Sequence, residues 1–303
     1  KFPFNQRESV PGLAGVGARV TGIGERPWEA IDEELRGWMV GYEQVRSVVH
    51  EPSMLEAVRR VQARAWVDRM EATVEAHRGR FDGSDFRKER GYEGPGEGVG
   101  NTIVPASFYG PGLAFQERQS AWTRSDAWMA FLARTFPKAL TFLYLPDEPY
   151  PAQYPEVKRL AENVRSNPGP GRKLPLFLTK RIIPEFQGLV DIWSIPPQAL
   201  DIAAASTEQA KGRRVSFYNG GRPQGPTPVI DAPATEARAI AWAAFKHDVD
   251  LYFYWHGVHW QHNRQKQGER KQDVWRNPIT FDNRGQPRKP VEDQGWINGD
   301  GVL

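Results

Sequence analysis

Two adjacent carboxylates are the feature of this sequence with the clearest chemical potential. Asp147 and Glu148 stand in the segment LPDEPY, directly after the apolar run ALTFLYL and between two prolines. Glycoside hydrolysis needs a pair of carboxyl groups, one of which holds a proton while the other stays charged. Hydrolysis of a glycan is therefore one hypothesis for this pair.

The spacing of the two acids leaves a second interpretation open. Neighbouring residues on a regular strand point to opposite faces, so both acids can face one substrate only where the strand has ended or is distorted. Pro146 and Pro149 flank that point. Alternatively, Asp147 caps the following helix and Glu148 is simply exposed to solvent. The residues alone do not decide between these interpretations.

The elements that would position the pair follow a regular alternation from about residue 100 onward. Short apolar runs predict strands at 101–107, 139–145, 174–179, 189–195, 213–219 and 250–256. Helical patterns lie between them at 118–136, 154–166, 197–212 and 232–248. Strands without polar alternation are typical of parallel strands covered on both faces, and their alternation with helices indicates strand–helix–strand units.

This alternation predicts an α/β fold of the (β/α)₈ TIM-like barrel type, incomplete or irregular in its N-terminal third. A doubly wound open sheet is the alternative, but it usually carries a glycine-rich phosphate loop after its first strand, and no such motif stands out here. We expect residues 1–26 to form an irregular entry segment and residues 27–303 to form the catalytic domain. We expect this domain to be part of a longer parent chain. Within that domain, 52–77 has helical spacing and 79–100 is a glycine-rich loop.

Polar and aromatic side chains follow the carboxyl ends of the predicted strands, where barrel enzymes build their active sites. Tyr218 would donate a hydrogen bond to a substrate, or it is a core tyrosine whose hydroxyl bonds to the backbone. Trp255 and Trp260 would form the floor and wall of a sugar subsite, with at least one of them expected in the core. The predicted substrate-binding residues are Tyr109, Lys180, Trp193, Tyr218, Asn219, Trp255, His256 and Trp260.

Composition narrows the possible partners. The net charge is only +3 with both signs mixed along the chain, so nucleic acid is not an expected partner. Aromatic residues make up 12% of the chain, which favours a glycan among ligands that stack on exposed rings. No apolar run is long enough to cross a bilayer, so we expect no transmembrane segment. The first residue is Lys1, and an extracytoplasmic or secreted location is favoured if a leader precedes it.

No metal and no cofactor are expected. His256, His259 and His262 recur at three-residue spacing, but zinc sites need further ligands brought together by a helix or loop. We interpret these histidines as substrate or loop hydrogen-bonding residues.

Three segments carry a resemblance to a known family. LYLPDEP at 143–149, EARAIAWAAFKHDVDLYFYWHGVHW at 236–260 and the closing stretch from DVWRNP to INGDGVL at 273–303 resemble the catalytic domain of glycoside hydrolase family 123 and its uncharacterised relatives. The resemblance implies a retaining β-N-acetylgalactosaminidase that works by substrate assistance, with the 2-acetamido group of the sugar as nucleophile. It implies that Asp147 orients this group, and that Glu148 protonates the leaving oxygen and then deprotonates water.

Two further functions stay open at this point. One is a catalytically silent carbohydrate-binding or surface-assembly protein built on the same barrel. The other is a glycosidase of different specificity that pairs Glu148 with a distant acid, such as Asp191 or Asp273.

Overall fold

The computed structural model describes residues 71–254 apart from positions 108, 219, 221–224, 229–231 and 250. It also describes residues 61, 64, 65, 67–69, 276, 281–282 and 297–298. Two compact units divide the chain, and we call Phe2–Phe177 the N-terminal unit and Leu178–Leu303 the C-terminal unit. The predicted boundary between residues 26 and 27 lies outside the described residues and stays a prediction.

A five-stranded sheet is the central element of the described residues. Its strands are β1 (Leu143–Tyr144), β2 (Leu176–Thr179), β3 (Ile192–Ile195), β4 (Arg214–Tyr218) and β5 (Leu251–Phe253), and they lie side by side in that order. The pairs β1–β2, β3–β4 and β4–β5 are parallel. Strands β2 and β3 are buried at every residue, which explains their continuous apolar sequences.

The predicted eight-stranded barrel is wrong. A (β/α)₈ barrel needs eight parallel strands that close on one another, whereas the parallel sheet of the described residues has five strands in a linear order. The described part of the chain is a partial α/β fold. The alternation of strands and helices correctly indicated parallel pairing, but pairing between neighbours does not determine how many strands a sheet contains or whether it closes.

The described helices of the N-terminal unit include α1 (Arg78–Asp82), α2 (Arg118–Thr135) and α3 (Tyr154–Arg165). Helices α2 and α3 bury part of their side chains, whereas α1 buries none. Helix α2 begins where the Glu117 side chain accepts hydrogen bonds from the backbone N–H groups of Gln119 and Ser120. Trp128 on α2 is fully buried and donates its indole N–H to Thr141 Oγ1 at 2.8 Å. This contact fixes α2 against the segment that leads into β1.

The glycine-rich segment at 79–100 is more ordered than predicted. It contains most of α1 and two 3₁₀ turns, Ser84–Phe86 and Lys88–Arg90. Gly83 adopts a left-handed conformation with φ of 85°, which ends α1 and favours glycine at this position. The loop prediction was therefore wrong for the first half of this segment.

The described residues of the C-terminal unit include two α-helices and a separate pair of short strands. Helix α4 (Ile202–Ala210) follows β3, and helix α5 (Thr235–Lys246) follows β4. Strands β6 (Phe281–Asp282) and β7 (Ile297–Asn298) pair with each other in antiparallel register. Asp201 caps α4, because its carboxylate accepts a hydrogen bond from the Ala204 N–H. Among the residues described, no helix combines the length and the apolar character that a membrane crossing requires.

Candidate active site

The outer edge of β1 is lined by a segment that the sequence predicted to be a strand. Residues 102–106 run parallel to the approach to β1, with a bridge between Ile103 and Leu140. Backbone N–H groups of Val104 and Ala106 donate to the carbonyls of Leu140 and Phe142, both at 2.8 Å. The next hydrogen bond to β1 comes from a side chain instead of the backbone, because Ser107 Oγ accepts from the Tyr144 N–H at 3.0 Å. The chain thus leaves the sheet directly before Tyr109.

Tyr144 is the last residue of β1, and its side chain connects the sheet to the acidic pair. Tyr144 is fully buried. Its ring contacts the rings of Tyr109 and Phe177, with centroid distances of 5.6 and 4.9 Å. The Tyr144 hydroxyl donates a hydrogen bond to Asp147 Oδ1 at 2.7 Å. Sequence analysis did not select Tyr144. The available signal was a tyrosine inside an otherwise apolar strand, because a buried phenol needs a hydrogen-bond partner.

Glu148 has a backbone conformation that is uncommon for a residue with a side chain. Its φ is +41°, and the chain bends at residues 146–148. A non-glycine residue in the left-handed region costs about 1–2 kcal/mol, so the surrounding structure must hold it there. The strand has ended and the chain is distorted where the acids lie, which is the condition required for both to face one substrate.

Tyr109 is the third residue of this cluster. It also has a positive φ, +52°, and it is partly buried. Burial raises the pKa of its hydroxyl well above the ordinary tyrosine value, and the negative charges of Asp147 and Glu148 raise this pKa further. The phenol is therefore a hydrogen-bond donor at neutral pH, and both carboxylates lie close enough to act on it.

The helix-cap interpretation of Asp147 does not fit the structure. The N-cap of α3 is Gln153, and the 3₁₀ turn before it begins after Tyr150. Asp147 bonds instead to Tyr144. Glu148 is exposed to solvent, as that interpretation expected, and so is Asp147.

Trp193 does not have the predicted substrate-binding position. Its side chain is completely buried in β3, and its indole N–H donates to Glu208 Oε2 on α4 at 3.2 Å. A sugar ring cannot stack on a surface that is already covered by the helix. Trp193 is a core residue, and the prediction is corrected on this point.

Lys180 and Tyr218 lie at strand ends of the C-terminal unit, as predicted. The Lys180 N–H, just after β2, donates to the Ser194 carbonyl at 2.9 Å. Tyr218 is the last residue of β4 and pairs in register with Phe253 of β5. Both residues are partly buried. Asn219, Trp255, His256 and Trp260 lie outside the described residues, as does Asp273.

Asp191 is placed differently from the strand-end residues. It precedes the first residue of β3, and its carboxylate forms an ion pair with Arg213 at 3.1 Å. It therefore lies at the amino end of its strand. This position gives no support to a glycosidase mechanism that relies on Asp191.

A cavity of about 240 Å³ lies in the C-terminal unit after β2 and at the end of β3. None of the predicted site residues that the structure describes lines it. Its lining residues are Arg181, Ile182, Ile183, Pro184, Ile195, Ala199 and Asp201. Within the described part of the chain, no group of three or more histidine, aspartate or glutamate side chains is arranged to hold a metal ion.

No protein-family model matches this chain, and no curated protein matches it either. The site formed by Tyr109, Tyr144, Asp147 and Glu148 is therefore the basis for assigning a function.

Proposed function

We propose that this protein is a retaining glycoside hydrolase that acts on a glycan containing N-acetylhexosamine, by substrate-assisted catalysis. The observation that carries the proposal is the distorted strand end at Glu148, with a φ of +41°, beside Asp147 and a phenol on which both carboxylates act. Strained non-glycine residues cluster at functional sites, where the conformation has a use beyond stability.

The two acids have different surroundings, which supports different roles. Asp147 accepts a hydrogen bond from the buried Tyr144 hydroxyl, so the orientation of its carboxylate is defined. An oriented carboxylate suits the task of aligning the 2-acetamido group for attack on the anomeric carbon. Glu148 is exposed, and it is the group that would protonate the leaving oxygen and then deprotonate water.

The two acids are adjacent in the chain, and this supports substrate assistance over direct attack by the enzyme. A retaining enzyme with its own nucleophile places its carboxyl groups on either side of the sugar, about 5 Å apart. When the acetamido group is the nucleophile, both acids serve the same region of the sugar. The resemblance to family 123 is consistent with this mechanism and belongs to the same proposal.

The test is hydrolysis of aryl 2-acetamido-2-deoxy-β-galactosides and their gluco epimers by wild type and Glu148→Gln. Removing a general acid lowers the rate by about 10²–10⁴-fold. The loss should be large for a phenol leaving group of high pKa and small for a dinitrophenol, which needs no protonation. Glu162→Gln is the matched control, since Glu162 is exposed on α3. Equal turnover by Glu148→Gln and wild type on every leaving group would remove the acid–base assignment.

Substrate assistance is tested separately from the acid–base role. The corresponding aryl galactoside, with a hydroxyl in place of the acetamido group, should not be hydrolysed. A thiazoline analogue of the cyclic intermediate should inhibit competitively, since it resembles the structure that follows attack. Turnover of both substrates at similar rates would contradict the mechanism while leaving a glycosidase activity in place.

A catalytically silent carbohydrate-binding protein is the second candidate. The exposure of both Asp147 and Glu148 favours it, because catalytic acids are commonly shielded from bulk water. It predicts calorimetric binding of N-acetylgalactosamine or N-acetylglucosamine without hydrolysis of any aryl glycoside.

A further inference from the structure

We propose that Tyr144 is a positioning residue that holds the Asp147 carboxylate in the orientation the reaction needs. This inference rests on the proposed function of the same site. The contact is short and direct, since the Tyr144 hydroxyl lies 2.7 Å from Asp147 Oδ1. A hydrogen bond to a charged oxygen is stronger and more directional than one between neutral groups.

The backbone of Tyr144 is fixed on the side that faces residues 102–107. Ser107 Oγ accepts from the Tyr144 N–H at 3.0 Å and donates to the Tyr144 carbonyl at 3.3 Å. On the other side of β1, the N–H groups of Leu143 and Leu145 donate to the carbonyls of Pro175 and Phe177 at 2.7 and 2.9 Å. The residue that carries the hydroxyl therefore has a defined position in the sheet.

The ring of Tyr144 is equally constrained. It is completely buried, with the rings of Tyr109 and Phe177 as neighbours. A buried aromatic side chain that is packed in this way has one rotamer available. Its hydroxyl is thus a stationary donor aimed at the end of the strand.

Asp147 has the opposite character. It lies beyond β1, in the bend at residues 146–148, and it is exposed. A fixed donor that bonds to one oxygen of a carboxylate restricts the rotation of that carboxylate. The bond from Tyr144 engages Oδ1 and thereby sets the direction of Oδ2. Tyr144 does not touch the sugar in this proposal; it acts through Asp147.

The experiment measures kcat and KM for an aryl 2-acetamido-2-deoxy-β-galactoside with wild type, Tyr144→Phe, Asp147→Asn and the double variant. Tyr144→Phe removes the hydroxyl and keeps the ring. We expect kcat to fall about 10- to 100-fold, with KM changed less than about 2-fold. In the Asp147→Asn background, Tyr144→Phe should have an effect of no more than about 2-fold, because the two residues act as one unit.

Tyr92→Phe is the matched control, since the Tyr92 hydroxyl also makes a 2.7 Å bond, to the Pro95 carbonyl in an exposed loop. It should leave kcat unchanged. Asp147→Glu provides a second variant at an exposed position, where folding is not at risk. This longer side chain keeps the charge but moves it, and we expect a loss similar to that of Tyr144→Phe.

A purely structural role for Tyr144 predicts a different pattern. Tyr144→Phe would then lower the rate by the same factor in the wild-type and Asp147→Asn backgrounds, and this outcome overturns the inference. Full activity of either Tyr144→Phe or Asp147→Glu overturns it as well.

A binding measurement distinguishes failure of the proposed function from failure of the inference about Tyr144. If wild type hydrolyses no aryl glycoside, calorimetric binding of the thiazoline analogue replaces the rate measurement. Weaker binding by Tyr144→Phe in the wild-type background only would support positioning of Asp147 in a protein that binds without hydrolysis. Equal weakening in both backgrounds, or unchanged binding, overturns the inference. No binding by wild type overturns the inference together with the function.

Discussion

Glu208 and Glu148 are two glutamates near parallel strands, and they differ in burial: Glu208 is buried and Glu148 is exposed. Glu208, in the C-terminal unit, is fully buried and bonds to the Trp193 indole at 3.2 Å and to Lys211 Nζ at 2.8 Å. Arg213 Nε lies 3.5 Å from Glu208 Oε2. Glu148, in the N-terminal unit, is exposed and has a positive φ.

Burial and backbone conformation separate the two carboxylates. A buried charge is tolerated only when other groups compensate for its lost hydration, and the partners of Glu208 do so. Glu148 is exposed and lies on a backbone with positive φ. Local backbone strain of this kind clusters at functional sites, so Glu148 is the better candidate for chemistry.

Replacing Glu208 should have the largest effect on stability. Glu208→Ala removes one of the two carboxylates near Arg213 and removes the acceptor of the buried Trp193 N–H. We expect the free energy of unfolding to fall by about 2–3 kcal/mol. Urea denaturation followed by tryptophan fluorescence measures it. Glu162→Ala, at an exposed position of α3, should change stability by less than about 0.5 kcal/mol. A similar small change for Glu208→Ala would show that the buried cluster is not stabilising.

Backbone strain at Glu148 should have a smaller effect on stability. Glycine adopts positive φ without steric cost, so Glu148→Gly should be more stable than Glu148→Ala by about 1 kcal/mol. Both variants lack the carboxylate, and the difference between them isolates backbone strain. Thermal and urea unfolding of the two variants measure it. If the alanine variant proves equally stable, the bend at residues 146–148 carries no strain.

The Tyr109 hydroxyl should produce the smallest effect, confined to alkaline pH. Its pKa is raised in the folded state, first by burial and then by the charges of Asp147 and Glu148. The folded protein therefore holds this proton more tightly than the unfolded chain. The stability that depends on it is complete below the ordinary tyrosine pKa of about 10 and falls as pH rises above that value.

Tyr109→Phe should accordingly reduce the loss of stability between about pH 9 and pH 11. Unfolding free energies across this range measure the effect, and phenolate absorbance reports which tyrosines ionise. Tyr92→Phe is the control and should follow wild type, because Tyr92 lies in an exposed loop. Identical slopes for Tyr109→Phe and wild type would mean that neither burial nor the two carboxylates raises the pKa of this phenol.

Local patterns in the sequence were sufficient to locate most elements of the described region. The helical periodicity at 118–136 and 154–166 corresponds to α2 (Arg118–Thr135) and α3 (Tyr154–Arg165). The apolar runs contain the five parallel strands, although β1 is reduced to Leu143–Tyr144. Periodicity reports which residues face a core, so it predicts the type of an element. It contains no information on how a sheet ends, and the barrel prediction failed for that reason.

Side-chain direction explains the outcome for the site residues. Tyr109 was predicted as a substrate-binding residue at a strand end, and that role stays a prediction, although the charges of Asp147 and Glu148 act on its hydroxyl. Trp193 was misplaced because the two faces of a strand that is buried on both sides have the same apolar character. Tyr144 was missed because it looked like one more aromatic residue in an apolar strand. A rule that every buried phenol needs an acceptor would have paired it with Asp147.

The two prolines that flank the acidic pair limit how this part of the chain can rearrange. Pro146 and Pro149 each fix one backbone angle, and a proline also restricts the residue before it. The unbound loop therefore has few alternative conformations to abandon when a ligand arrives. Recognition at this site would proceed with little adaptation of the main chain, and selectivity would come from the shape that the free protein already has.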